Sequence, residues 1–132
     1  HLNDTLGHAA GDELLKTVGQ VIRSTLRPVD MAFRCGGDEF VVVIPEQTPE
    51  AGEAVARRLT DLIDALGRGL KLKYPPGCSI GLASLSELNN GSRTLAELLA
   101  LADKRLFDIK AKRKKPIAPR FPAALQPVKM SA

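Results

Sequence analysis

The chain has 132 residues, 44% of them apolar, a formal net charge of +4, no Trp and few other aromatics. This suits one domain with an aliphatic core of Leu, Val, Ile and Ala. It argues against a membrane-spanning helix, since no run approaches the roughly 18 apolar residues a span needs, and no signal-peptide pattern is seen.

The charge is uneven. Residues 1–109 hold 12 Lys/Arg against 15 Asp/Glu, whereas residues 110–132 hold seven Lys/Arg and no acid. A mildly acidic body therefore carries a basic tail. No aromatics interleave with the basic run to stack on bases, which argues against nucleic-acid binding. Cys35 and Cys78, with His1 and His8, lack zinc-ligand spacing and read as free thiols in a reducing compartment.

Residues 1–12 are polar and Gly-bearing and read as a loop running into a helix. That helix is marked by Leu14, Leu15, Val18, Val21, Ile22 and Leu26 at helical spacing. His8 and Asp12 are four apart and share one face if the helix has begun by His8; by themselves they read equally as capping and dipole groups. Pro28 ends the helix.

Two short strands follow, Met31–Arg34 and Glu39–Ile44, joined through Gly36-Gly37. Paired glycines accept the positive φ angles of a tight hairpin, which would place Asp38 and Glu39 at its mouth. Glycine amides beside paired acids suit a metal-bound phosphate. An ordinary turn that happens to carry acids has the same local pattern.

Thr48-Pro49 opens a second helix with Thr48 as cap, a stripe of Ala51, Ala54, Val55, Leu59, Leu62, Ile63 and Leu66, and Gly67 and Gly69 as its stop. Leu70–Tyr74 alternates apolar residues with lysine and reads as an edge strand. Cys78–Ser84 reads as a short strand, with Gly81 marking the close passage of a backbone or ligand. Leu85–Arg93 is a polar loop. Thr94-Leu95-Ala96-Glu97 is a capping box for a third helix reaching the basic run at Lys110. From Pro116 onward, four prolines and no period suggest a disordered tail. The order predicts an α+β sandwich with helices on a sheet.

Several motifs, in order, resemble those of a GGDEF domain. They are Asn3-Asp4-x-x-Gly7-His8-x-x-Gly11-Asp12, Arg27-x-x-Asp30, Arg34-x-Gly36-Gly37-Asp38-Glu39-Phe40, Ser79-Ile80-Gly81, Ala102-Asp103 and Lys110. The resemblance covers residues 1–115, with 116–132 as the tail. It implies a ferredoxin-like or nucleotidyl-cyclase-like antiparallel sheet with packed helices, from which this chain lacks the first, central strand and its metal-binding aspartate.

The implied activity is that of a diguanylate cyclase, which condenses two GTP to cyclic di-GMP with two Mg²⁺ (or Mn²⁺). By the resemblance, Asp38 is a metal ligand and candidate base, Glu39 a supporting acid, and Gly36 and Gly37 admit the nucleotide. Asn3, His8 and Asp12 contact the nucleotide, with Asn3 and Asp12 on the guanine side. A carboxylate at Asp12 suits the N1–H and N2–H₂ donors of guanine over adenine.

Lys110 matches a phosphate-binding lysine. Lys114 stands where the family has arginine, so its phosphate contact would not be bidentate. Arg27, Asp30 and Arg58 match an inhibitory product site for cyclic di-GMP; Arg27 and Asp30 also read as a helix-end ion pair. The resemblance further implies a homodimer of two such domains in the cytoplasm, attached to an upstream sensory or dimerising module, with no turnover by this chain alone. The alternative is a catalytically inactive domain that binds GTP or cyclic di-GMP as a signalling module.

Overall fold

Leucines and isoleucines three and four apart dictate the first element. In the computed structural model, which describes residues 7–70, 77–89, 93–112 and 126–127, helix α1 spans His8–Thr25 and buries Leu14, Leu15 and Ile22. It begins at His8, earlier than the predicted loop allowed, with Gly7 at φ 78° as its N-cap and a bond from the Gly11 amide to the Gly7 carbonyl.

Strands β1 (Met31–Gly36) and β2 (Glu39–Val43) form the predicted antiparallel hairpin. Met31 pairs with Val43 and Arg34 with Phe40, but Gly36 pairs with Glu39, so Cys35 is an extra residue on β1. This bulge breaks the two-residue alternation: the buried positions of β1 are Ala32 and Cys35, three apart. Burial holds the Cys35 thiol above its ordinary range, and both cysteines are free.

Helix α2 spans Pro49–Gly69, with the Thr48 hydroxyl accepting from the Ala51 amide at 3.3 Å. Ile22, Ala32 and Leu59 meet at the centre of the core, flanked by Val18, Leu26, Phe40, Val42, Val55 and Ile80. Full burial of a Val, Leu, Ile or Phe side chain contributes about 1.5–3 kcal/mol. The two helices thus cover one face of the hairpin.

The predicted strand Cys78–Ser84 joins no ladder. It is instead clasped between α2 and helix α3 (Leu95–Lys112). A Cβ on Gly52 of α2 would touch the Leu82 side chain at 3.5 Å, and the Cys78 thiol bonds Thr60 at 3.5 Å. On the other side, a Cβ on Gly81 would lie 2.0 Å from the Ala102 carbonyl oxygen and 2.6 Å from the Leu106 nitrogen. The close backbone passage expected at Gly81 is therefore that of α3. Among the described residues the segment, despite its extended sequence character, has no strand with which it forms a ladder.

The Thr94–Glu97 capping box forms as predicted, with the Thr94 amide donating to Glu97 at 2.9 Å and the Glu97 amide to Thr94 at 3.2 Å. A second box, unpredicted, closes a single 3₁₀ turn at Leu85–Glu87: the Ser84 amide donates to Glu87 Oε1 at 2.8 Å. Gln126–Pro127 form a two-residue strand, β3, opposite Arg34 and Phe33, giving the order β2-β1-β3. Residues 71–76, most of the predicted edge strand, lie outside the described residues, as does the rest of the predicted tail. Among the described residues no strand precedes α1, and no helix is long and apolar enough to cross a membrane. The architecture is α+β, as the sequence predicts: an antiparallel hairpin sheet with helices packed on it.

Candidate functional site: the hairpin turn and the end of α3

The turn that joins β1 to β2 is made by Gly37 and Asp38, one residue later than the glycine pair suggests. Gly36 ends β1 at φ 122° and Gly37 stands at φ 56°. Both are left-handed conformations that favour glycine. Nothing lies within 4 Å of a Cβ built on either, so the glycines are required by backbone angle, and the space above them is open. Arg34 folds back over the turn, its Nε and Nη2 donating to the Gly37 carbonyl at 3.0 and 2.9 Å. Arg34 has no role of its own on sequence grounds; its three-residue spacing from Gly37 is the available signal.

Asp38 is exposed at the apex and, among the described residues, its carboxylate makes no hydrogen bond or ion pair. Glu39 opens β2 half-buried and faces Lys110, whose Nζ lies 3.5 Å from Oε1. Both side chains remain about one-third exposed, at 38% and 34%. The structure therefore brings Lys110 to the stretch Gly36, Gly37, Asp38 and Glu39 through its contact with Glu39, 71 positions away.

Two contacts fix the helix that delivers Lys110. Gly81 lets α3 settle on the 77–84 segment, as described above. Arg105 then donates to the Leu82 carbonyl at 2.6 Å and to Glu87 Oε1 at 3.0 Å, with a second guanidinium bond to Glu87 Oε2. Arg105 and the Ser84 amide pull the Glu87 carboxyl down to about 2. Lys110 lies five residues, about 1.4 turns, beyond Arg105 on the same rigid helix.

Among the described residues no three His, Cys, Asp or Glu side chains cluster as a metal cage. Asp38 and Glu39 still fit Mg²⁺, which is commonly held by one or two carboxylates together with substrate phosphates and water. They are hard oxygen donors beside an open, glycine-lined turn, and that donor set does not suit a site built of protein ligands alone.

Arg27 and Asp30 form a second constellation at the opposite end of β1, about 20 Å from the turn by strand length. Asp30 is buried, its side chain 2% exposed. It accepts from the Arg27 backbone amide at 2.8 Å, from Arg27 Nε at 3.2 and 3.3 Å and from Nη2 at 2.8 Å. Arg27 Nη2 also reaches the Pro45 carbonyl at 2.9 Å, and Arg23 Nη1 donates to the Asp30 carbonyl at 3.0 Å. These bonds hold Asp30 below the usual carboxylate range despite burial. Arg23, unassigned by the sequence reading, belongs to this corner.

The remaining predicted residues are placed as follows. Asp12 is exposed on α1 one turn after His8, whose backbone opens the helix. Arg58 is exposed on α2 and, among the described contacts, does not touch Arg27 or Asp30. Asn3 and Lys114 lie outside the described residues.

Comparison with known proteins bears on this arrangement. Residues 1–116 match the family model described as "Diguanylate cyclase, GGDEF domain". The chain is 38% identical over 111 residues to diguanylate cyclase DgcS of Shewanella oneidensis, covering 83% of this chain and 35% of that protein. It is 34% identical over 113 residues to diguanylate cyclase A of Treponema denticola, covering 83% and 29%. Among solved structures it resembles diguanylate cyclase SiaD of Pseudomonas aeruginosa, determined in complex with its activator SiaC, with a TM-score of 0.70 and 28% identity over 84% of this chain and 42% of that one. The match thus spans less than half the length of each of these relatives.

Proposed function

The chain belongs to the GGDEF family of diguanylate cyclases, and from that premise we propose that it is a catalytic domain that condenses two GTP into cyclic di-GMP. One observation carries the reading: the open glycine turn sets the exposed Asp38 beside Glu39, with the Lys110 ammonium 3.5 Å from Glu39. Acids for a divalent cation and a cation for phosphate stand at one glycine-lined opening.

In this reading the 3′-hydroxyl of one GTP attacks the α-phosphorus of the other. The new phosphodiester bond forms as the bond to the β-phosphate oxygen breaks, and pyrophosphate leaves. The hydroxyl proton passes to Asp38 or to solvent. The same step repeated with the roles exchanged closes the ring. Asp38 holds the metal, Glu39 supports it, Gly36 and Gly37 let the triphosphate approach, and Lys110 and Lys114 carry phosphate charge. A bound Mg²⁺ or Mn²⁺ supplies Lewis-acid polarisation of the phosphoryl oxygens.

Asn3, His8 and Asp12 receive the nucleotide, with Asp12 accepting from guanine. Two copies face each other, because each nucleotide serves as nucleophile and electrophile in turn. The substrate places the domain in the cytoplasm, and 116–132 is an appended tail. Arg27, Asp30 and Arg58 form a product site at which cyclic di-GMP limits its own synthesis. In this reading Arg27, whose side chain is 44% exposed, makes the direct ligand contacts, and the buried Asp30 holds it in place. A non-catalytic, nucleotide-binding role is the alternative, and it draws support from Lys114 standing where the family has arginine. Incubating the full-length protein with GTP and Mg²⁺ separates the two, since only the enzyme reading yields cyclic di-GMP; D38A should abolish that product, and turnover by D38A would remove the role given to Asp38.

A further inference from the structure

Glu39 and Lys110 each have two prospective partners and can satisfy only one at full strength. Glu39 faces the Lys110 ammonium at 3.5 Å, and it also stands beside Asp38 at the turn. Lys110 faces Glu39, and Arg34 is already engaged at the Gly37 carbonyl. Both side chains are about one-third exposed, so the pair is formed in the fold but accessible from solvent. Such a partly exposed pair is weakly held and is readily exchanged for stronger partners. Asp38, by contrast, has no described partner to give up.

We propose that Glu39–Lys110 is an exchange pair that couples cation binding to phosphate binding at this turn. This rests on the reading of the turn as a GTP site. Without a divalent cation, Glu39 retains Lys110, and an arriving triphosphate meets Asp38 and a lysine already neutralised. When Glu39 turns to a divalent cation beside Asp38, Lys110 is released to the phosphates. The rigid seating of α3 on Gly81 and Arg105 means that Lys110 needs only a side-chain rotation to make the change. The consequence is that Lys110 contributes to nucleotide affinity only when Glu39 is otherwise occupied.

The test is the cost of K110M in three settings, measured by calorimetric titration of the full chain with a non-hydrolysable GTP analogue: wild type with EDTA, wild type with Mg²⁺, and E39Q with EDTA. The inference expects K110M to weaken binding less than about twofold in the first setting and about fivefold or more in the second and third. E39A with EDTA is a second route to a freed lysine and should behave like E39Q. Thermal unfolding of each variant checks that the fold is intact. An equal cost of K110M in all three settings would show that Lys110 is always available to phosphate and would overturn the exchange. No binding by the wild type even with Mg²⁺ would remove the GTP-site reading, and the exchange with it.

Discussion

Asp30 gives its whole carboxylate to Arg27, accepting from the backbone amide, Nε and Nη2 of a residue three positions earlier. The pair joins the end of α1 to the start of β1, and through Pro45 to the end of β2. A group this buried leaves unmatched donors behind when it is removed. D30A is expected to cost about 2 kcal/mol, below the value for a fully buried pair because Arg27 stays partly solvated. R27A should also lower stability, by leaving Asp30 buried and without its Arg27 side-chain partner. Urea midpoints read both. Since the Asp30 carboxyl is held below its ordinary 3.8, this stability is present above that pH and is lost as pH falls through the lower folded value. The product-site reading adds that R27A abolishes tight cyclic di-GMP binding; unchanged affinity in R27A would remove it.

Gly81 sets the distance between the 77–84 segment and α3. A methyl group there would sit 2.0 Å from the Ala102 carbonyl and 2.6 Å from the Leu106 nitrogen, both rigid helix backbone. G81A should therefore push α3 away and destabilise the chain by about 3 kcal/mol, at the upper end for overpacking. The displacement should also weaken Mg²⁺-dependent nucleotide binding, because Lys110 rides on the same helix. A G81A variant with wild-type urea midpoint and affinity would contradict this account of α3.

The Arg105–Glu87 bond makes a pH prediction with a defined sign. The Glu87 carboxyl falls from an ordinary 4.5 to about 2 in the fold, so the folded state holds its proton less tightly. Its stabilisation is complete above about pH 4.5 and is lost as pH falls from there towards 2. Both side chains are more than one-third exposed, which reduces the worth of the pair to about 1 kcal/mol. R105A should lower stability by that amount at pH 7 and flatten its decline between these pH values, read from urea unfolding at several pH values.

Local chemistry made much of this fold legible. Thr48 and Pro49 mark the start of α2, the Thr94–Glu97 box marks the start of α3, and two left-handed glycines mark the hairpin, because each signal acts within a few residues. The Ser84–Glu87 box carried the same kind of signal and was passed over in a polar loop. Tertiary relations were harder to read. Cys78–Ser84 has strand-like residues, but a strand needs a neighbour, and the segment's described neighbours are helices. The Cys35 bulge moved the turn to Gly37-Asp38, which glycine spacing alone does not specify. Lys110 matches a phosphate-binding lysine by resemblance; its pairing with Glu39 depends on how α3 seats and has no trace in either local sequence.

The central claim is that this glycine turn serves cyclic di-GMP synthesis. The most direct measurement is chromatographic detection of product after incubating the full-length protein with GTP and Mg²⁺, freed of bound cyclic di-GMP beforehand. The account predicts cyclic di-GMP with two pyrophosphates released per molecule, and none from D38A. GTP binding without any cyclic di-GMP, under activating and product-free conditions, would contradict it.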